Sequence, residues 1–334
     1  MKILYIHSNP DKAEFYNDYL SDLLLHGLRE NYGNYVIDYP GSWYLYNDEV
    51  KKRNINQNKL WGKGFTLNNS LNEFNFFDRT DISSKIQDNF FDLVIYGSIR
   101  RSDLFLDLVI EKKIKHVYID GEDDTFIDTK YSNQSLYFKR ELNKIINNVL
   151  PISLAIPKKK IVDNINQNPK DLLAPLIPGR LNTYVYNKEQ DYYNMYFNSL
   201  FALTYKKAGW DCLRHYEILA NGCIPLFLDL KNCPQETLKT LPKENLVSIL
   251  NQNEFILSYY NPFKLYKKKF LNFSKILRGL NSLYKNKNVD LFLKNNENIN
   301  IFRQKLLEFT KSELTTSKLA KYVIENTNIY FKNN

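Results

Sequence analysis

Short apolar runs alternate with segments of helical spacing along most of the chain. Residues 2–7 (KILYIH) form an apolar run that stops at Ser8-Asn9-Pro10, a turn signal, and so predict a strand. Over residues 15–29 the apolar positions Phe15, Tyr19, Leu20, Leu23, Leu24 and Leu28 recur at helical spacing and predict a helix. Residues 35–39 predict a second strand. Between residues 41 and 81 the chain is Asn-rich, carries Gly62 and Gly64, and keeps no period, which marks an irregular insertion. Alternation then resumes with a helix over 82–89, a buried strand over 92–96 (DLVIY), a helix over 102–113 and another buried strand over 116–119 (HVYI). Continuous apolar strands separated by helices imply a parallel sheet covered on both faces, hence an α/β fold. Ligands of such sheets sit beyond the carboxyl ends of the strands, which singles out the loops 7–15 and 120–124.

A second unit is expected from about Pro151, so that the chain divides into residues 1–150 and 151–334. The stretch PISLAIPKKK, with two prolines and three lysines, reads as the crossing between them. Strands are predicted over 172–177, 200–205 and 223–228, and helices over 191–198 and 211–220. The second of these helices ends at Asn221-Gly222, a good helix stop. From residue 252 to the end the pattern is largely helical and basic.

Composition narrows the class. With 334 residues, 43% hydrophobic and 25% charged, the chain is globular and long enough for two cores. The 25 Tyr and 21 Phe belong mainly to packing. The net charge of +9 is spread through a Lys- and Asn-rich background and comes with no nucleic-acid-binding motif, so no nucleic-acid partner is expected. Cys212, Cys223 and Cys233 have no metal-ligand spacing and cannot all pair, which predicts free thiols in a reducing compartment. The N-terminal apolar run is too short for a signal peptide, and no stretch reaches the length of a membrane span. A cytoplasmic protein is the expectation. Lys267-Lys268-Lys269 reads first as a solvated helix face and second as a peripheral contact with an anionic membrane.

The densest chemistry lies in AGWDCLRHYEILANGCIP, residues 208–225. The predicted strand before it runs into Lys206, Lys207 and Gly209, and Asp211 then stands at the helix start as the expected N-cap. A lysine pair and a glycine at a strand-to-helix turn make an anion site, reinforced by the amides and dipole of the helix N-terminus. Arg214 and Glu217 are spaced i,i+3 and share one helix face. Arg grips a diphosphate in a bidentate way, and an ionised Glu accepts from the vicinal hydroxyls of a ribose. By spacing alone the same two residues also suit an ordinary surface ion pair.

The segment SLFALTYKKAGWDCLRHYEILANGCIPLFLDLKNCP resembles the donor-binding core of exostosin-like and related GT-B glycosyltransferases. The shared pattern is a strand, a Gly-containing turn, Arg-x-x-Glu, a small-residue helix end, Gly-Cys-Ile-Pro and another strand. The resemblance implies two Rossmann-like domains of the GT-B type with a helical C-terminal extension. It also implies a nucleotide-sugar donor held by the second domain, with the ribose contact falling on Glu217, and an acceptor, whether glycan, lipid-linked or protein, bound by the first. No cofactor or metal is implied. Many retaining enzymes of this type carry a second Glu eight positions before the helix Glu, where this chain has Gly209, so the contact to the donor sugar is left unassigned.

In the first half, the predicted strand over 116–119 runs into Asp120-Gly121-Glu122-Asp123-Asp124. Crowded carboxylates raise one another's pKa, which suits Asp120, Glu122 or Asp123 to act as the base that deprotonates an acceptor hydroxyl. The same cluster could hold a divalent cation, as in a metal-dependent GT-A-type transferase, or form a charge network with Lys139 and Arg140. Between phosphate binding and neutralising the acidic loop, Lys139 and Arg140 suit the second. His7 and Asp11, after the first strand, are further base candidates. His215 points away from the Arg214 and Glu217 face. A non-catalytic nucleotide- or carbohydrate-binding module is the reading outside enzymes.

Overall fold

The computed structural model of the chain describes residues 1–8, 18–47, 49–72, 74–252 and 298–333, with residues 289, 293, 294 and 296 besides. Asp11, Phe15 and Lys267-Lys268-Lys269 lie outside the described residues. Two compact units account for the chain. The first comprises Met1–Lys158, Pro234–Lys239 and Leu314–Asn334, the second Lys159–Cys233 and Thr240–Glu313.

The first unit is built on a six-stranded, fully parallel sheet. In chain order its elements are β1 (Ile3–Ile6), α1 (Tyr19–Tyr32), β2 (Val36–Tyr39), α2 (Glu49–Lys52), α3 (Ile82–Gln87), β3 (Leu93–Tyr96), α4 (Leu106–Glu111), β4 (Lys115–Asp120), α5 (Thr129–Ser132), β5 (Tyr137–Lys139) and β6 (Val149–Pro151). The strand order β2-β1-β3-β4-β5-β6 reverses direction between β1 and β3. β1 and β3 are buried at every position, as a sheet covered on both faces requires. The expected elements form where the apolar pattern placed them, although the helix predicted over 102–113 contracts to α4. The insertion over 41–81 is made of short turns and α2.

β5 and β6 are elements the pattern did not predict. Each is three residues long, too short to show a period, and β5 carries Lys139. That lysine is fully buried, so the residue that reads as surface lies inside.

The second unit contains β7 (Asp171–Leu173), α6 (Glu189–Phe197), β8 (Ser199–Thr204), α7 (Leu213–Ala220), β9 (Ile224–Phe227), α8 (Lys243–Gln252) and α9 (Ile299–Glu313). Its sheet is three-stranded and parallel, in the order β7-β8-β9. α7 ends as its Asn-Gly stop requires. Gly222 takes φ +65°, its amide returns to Leu219 O, and the Cys223 amide returns to Ile218 O. This double return is a Schellman motif, which satisfies carbonyls the helix end would leave bare. Arg303 of α9, itself buried, donates from Nε to Gly222 O at 2.7 Å and adds a cation to the negative end of the α7 dipole.

The expected division at residue 150 differs from the structure in two places. The chain leaves the first unit at Lys158, because β6 completes the first sheet, and the last helix, α10 (Thr316–Asn333), returns to that unit. The return depends on Gly27 of α1, where a Cβ would stand 1.9 Å from Thr316 O. His26 Nδ1 lies 2.9 Å from Thr316 Oγ1 across the same contact. Among the described residues no helix is long and apolar enough to cross a membrane.

Candidate functional site

β8 and β9 pair in register with Thr204 opposite Phe227, so the residues just beyond them emerge at one edge of the second sheet. Beyond β8 come Lys206 and Lys207, both exposed, and the buried Gly209 and Trp210. The Lys207 amide donates to Gly209 O at 3.2 Å and folds the turn back on itself. Lys206 Nζ stands 5.1 Å from the centre of the Trp210 ring. His215 locks this turn to the strand. Its Nε2 donates to Trp210 O at 2.9 Å, and its Nδ1 accepts from Thr204 Oγ1 at 3.0 Å. Burial pushes the His215 pKa down to about 3, which keeps the ring neutral in the form those two bonds need. His215 is therefore structural and faces away from Arg214 and Glu217, as its helical angle implied.

The N-cap of α7 is Cys212, not the expected Asp211. The first turn closes on the Cys212 carbonyl, which accepts from the His215 amide at 3.0 Å, so Asp211 falls one residue outside the helix, where it is buried. Cys212 makes no side-chain capping bond, and the first turn of α7 holds no acidic residue. What it holds is Arg214.

Arg214 is half-buried and keeps company with tyrosines. Its Nη2 donates to Tyr184 OH at 3.1 Å, its guanidinium lies 5.8 Å from the Tyr184 ring centre, and its buried Nε has no hydrogen-bond partner among the described residues. Among the described residues no carboxylate pairs with it, Glu217 included. Burial opposes its charge, but Cys212, Tyr196, Tyr192 and Tyr184 outweigh that and hold its pKa well above the ordinary value. Glu217, one turn further on and buried, accepts from Tyr192 OH at 2.6 Å through Oε2. The ordinary surface ion pair that the i,i+3 spacing allowed is thus not formed.

In the first unit, the carboxyl edge of the sheet carries the acidic loop. Asp120 is sealed, at 1% exposure. It accepts from Tyr137 OH at 2.6 Å and from the Glu122 amide at 3.0 Å, and it faces the fully buried Lys139 ammonium at 2.9 Å. Glu122 pairs with Arg101 at 2.7 Å, Asp123 with Arg140, and Asp124 in a bidentate way with Arg100 at 2.7 and 2.8 Å. Every carboxylate of the loop therefore meets a cation, and Lys139 and Arg140 neutralise it, as their proximity in sequence suggested. Among the described residues no three His, Cys, Asp or Glu side chains converge as a metal site would need.

His7 sits where the sheet order reverses, and it is fully buried. Nδ1 lies 2.8 Å from Ser8 O and Nε2 lies 2.9 Å from Asp22 Oδ1. A carbonyl only accepts, so Nδ1 carries a proton; the carboxylate calls for a second on Nε2. Burial works to lower the His7 pKa, but the hydrogen bond and charge of Asp22 prevail and raise it. With both nitrogens donating, His7 has no lone pair to act as a base. Asp22 also accepts from Tyr44 OH at 2.7 Å and from the Asp18 amide at 3.1 Å. Asp18 caps α1 by accepting from the Ser21 amide at 3.3 Å, and takes Ser98 Oγ at 2.5 Å and Arg101 at 3.4 Å.

Several residues around these sites carry little signal in the sequence. Asp18, three residues before Ser21, is a legible N-cap signal. Tyr184 and Tyr192 have no local signal, since tyrosine is abundant and their partners are distant in sequence. Asp229 directly follows the apolar run CIPLFL and has no local signal beyond that position. Compared with known protein families, curated proteins and solved structures, the chain matches none.

Proposed function

We propose that this chain is a GT-B-type glycosyltransferase with two Rossmann-like domains and a helical C-terminal extension, moving a sugar from a nucleoside-diphosphate donor to an acceptor hydroxyl. The observation that supports it most is Arg214, a half-buried cation in the first turn of α7 with no described carboxylate partner. A helix N-terminus carries roughly half a positive charge, so a guanidinium there is repelled by the dipole. Lys206 and Lys207, in the preceding turn, add to that charge. A diphosphate reverses the sign of the interaction, because guanidinium, ammonium and amide groups then share one anion. Glu217, on the same helix face, offers carboxylate oxygens to the ribose hydroxyls, with Tyr192 fixing its orientation.

Lys206, Lys207, Gly209 and Arg214 would hold the diphosphate as negative charge grows on it in the transition state. Asp211, expected at the same site, is buried just outside the helix. On the acceptor side, Glu122 and Asp123 are the reachable carboxylates assigned to the hydroxyl, while Asp120 anchors their loop through Lys139 and Tyr137. The acceptor is a glycan, a lipid-linked sugar or a protein hydroxyl.

The test is a thermal-shift series with nucleoside diphosphates, their monophosphates and their sugar conjugates, since a ligand bound to the native state raises its melting temperature. Diphosphates should stabilise the protein more than monophosphates, and both Arg214→Ala and Glu217→Ala should erase the shift. An undiminished shift in both variants would remove the site from α7.

A further inference from the structure

The groups assigned to the diphosphate at the α7 site all donate hydrogen bonds, and the one acceptor on that helix face, Glu217, is assigned to the ribose. The lysine ammonium groups, the guanidinium and the helix amides only donate. A sugar beyond the diphosphate presents hydroxyls, and hydroxyls are held in a fixed orientation only when something also accepts from them. The edge of the second sheet supplies one such group. Asp229 lies two residues past Phe227, and Lys206 lies two residues past Thr204, its partner in the ladder. Both therefore stand at the carboxyl edge from which α7 starts.

Asp229 is half-buried, and both of its oxygens share the Lys206 amide, at 3.2 and 3.3 Å, with its own backbone amide as a further donor. A split bond of that length uses little of a carboxylate's capacity, which is about four lone-pair sites. Burial raises the Asp229 pKa, with the Lys206 amide working against it. A carboxylate of higher proton affinity is also a stronger hydrogen-bond acceptor. No arginine or lysine side chain forms an ion pair with Asp229 among the described residues, in contrast to the acidic loop of the first unit.

We infer that Asp229 is the residue that accepts hydrogen bonds from the donor sugar's hydroxyls and so sets which sugar the site takes. This rests on the reading of α7 as the diphosphate site. It assigns to the strand end after β9 a role that the turn after β8 does not fill.

The experiment compares Asp229→Asn with wild type by calorimetric titration, using UDP and GDP against UDP-glucose, UDP-N-acetylglucosamine and GDP-mannose. The isosteric amide keeps an oxygen for the Lys206 amide, so the turn persists and melting without ligand should hold near wild type. Expected is an unchanged affinity for the free diphosphate and a loss of about tenfold for its sugar conjugate, the usual worth of a hydrogen bond to a charged group. Equal losses on both ligands, or no loss on the conjugate, would overturn the assignment. Arg214→Ala separates the two proposals. If it leaves diphosphate binding intact, the α7 site itself fails; if it abolishes binding while Asp229→Asn discriminates nothing, only the sugar assignment fails.

Discussion

α1 and α7 both follow a parallel strand, yet their N-termini are filled in opposite ways. At α1, Asp18 caps the helix and the Asp22 carboxylate takes the Asp18 amide, so two side-chain anions already answer the positive end of the dipole. At α7, the cap is a cysteine with no capping bond and the first turn carries an arginine. One helix start is satisfied from within the chain. The other concentrates positive charge where the dipole is already positive, an arrangement that the proposed anion would relieve. The contrast teaches that the position of a helix start in an α/β sheet does not make it a ligand site. Where the two starts differ is in whether the chain has spent its own carboxylates on the cap and first turn.

The largest effect should come from breaking the satisfied end. Asp22→Ala leaves the buried His7 imidazolium without its counter-charge and should cost about 3–5 kcal/mol in urea denaturation, the usual penalty for orphaning one partner of a buried pair. Arg214→Ala should change stability by less than about 1 kcal/mol while abolishing diphosphate binding, since it removes a cation from a helix N-terminus. Similar stability losses for the two variants would dissolve the contrast.

A pH titration should sharpen it next. His7 has a raised pKa, so its contribution is full below the ordinary histidine value and is lost as pH rises through its folded pKa. His215 has a pKa lowered to about 3, so its contribution is full above about 6.5 and drains away as pH falls towards 3. At pH 4 that loss reaches about 3 kcal/mol, from about 1.4 kcal/mol per unit. Imidazole NMR signals should show His7 charged at pH 6.5 and His215 neutral at pH 5. A His215 that titrates near 6.5 would contradict the structural role given to it.

The smallest effect is the most direct conversion of one end into the other. Cys212→Asp gives α7 the kind of cap α1 has, at a residue whose φ −140° and ψ 134° already suit a capping side chain. It should gain about 1 kcal/mol in thermal or urea unfolding. The same carboxylate should weaken diphosphate binding by occupying the amides the ligand would use. A stabilised variant with unchanged binding would place the ligand elsewhere.

Much of the fold could be read from the chain because apolar runs and helical spacing report burial locally. β1, β3, β4, β8 and β9 lie where continuous apolar residues demanded a sheet covered on both faces, and α7 stops where Asn221-Gly222 permits the left-handed turn. The strand β5 did not show, because Lys139 looks like surface until Asp120 is brought beside it from another strand. Asp38 behaves the same way: it is buried in β2 only because Arg29 and Arg79 both reach it at 2.7 Å. The return of α10 to α1 was equally hidden, since Gly27 and Thr316 are far apart in sequence.

For the site, the sequence by itself determined which residue types stand at the start of α7: two lysines, a glycine, an arginine and a glutamate in fixed spacing. Only the tertiary structure decided their electrostatic state. Whether Arg214 meets Glu217 or Tyr184, whether Asp120 is reachable or sealed by Lys139, and whether His7 holds a lone pair all depend on groups delivered by distant segments. Spacing along one helix fixes neighbours within about a turn. Charge and proton affinity answer to every group within several ångströms, and most of those are neighbours only because the chain has folded.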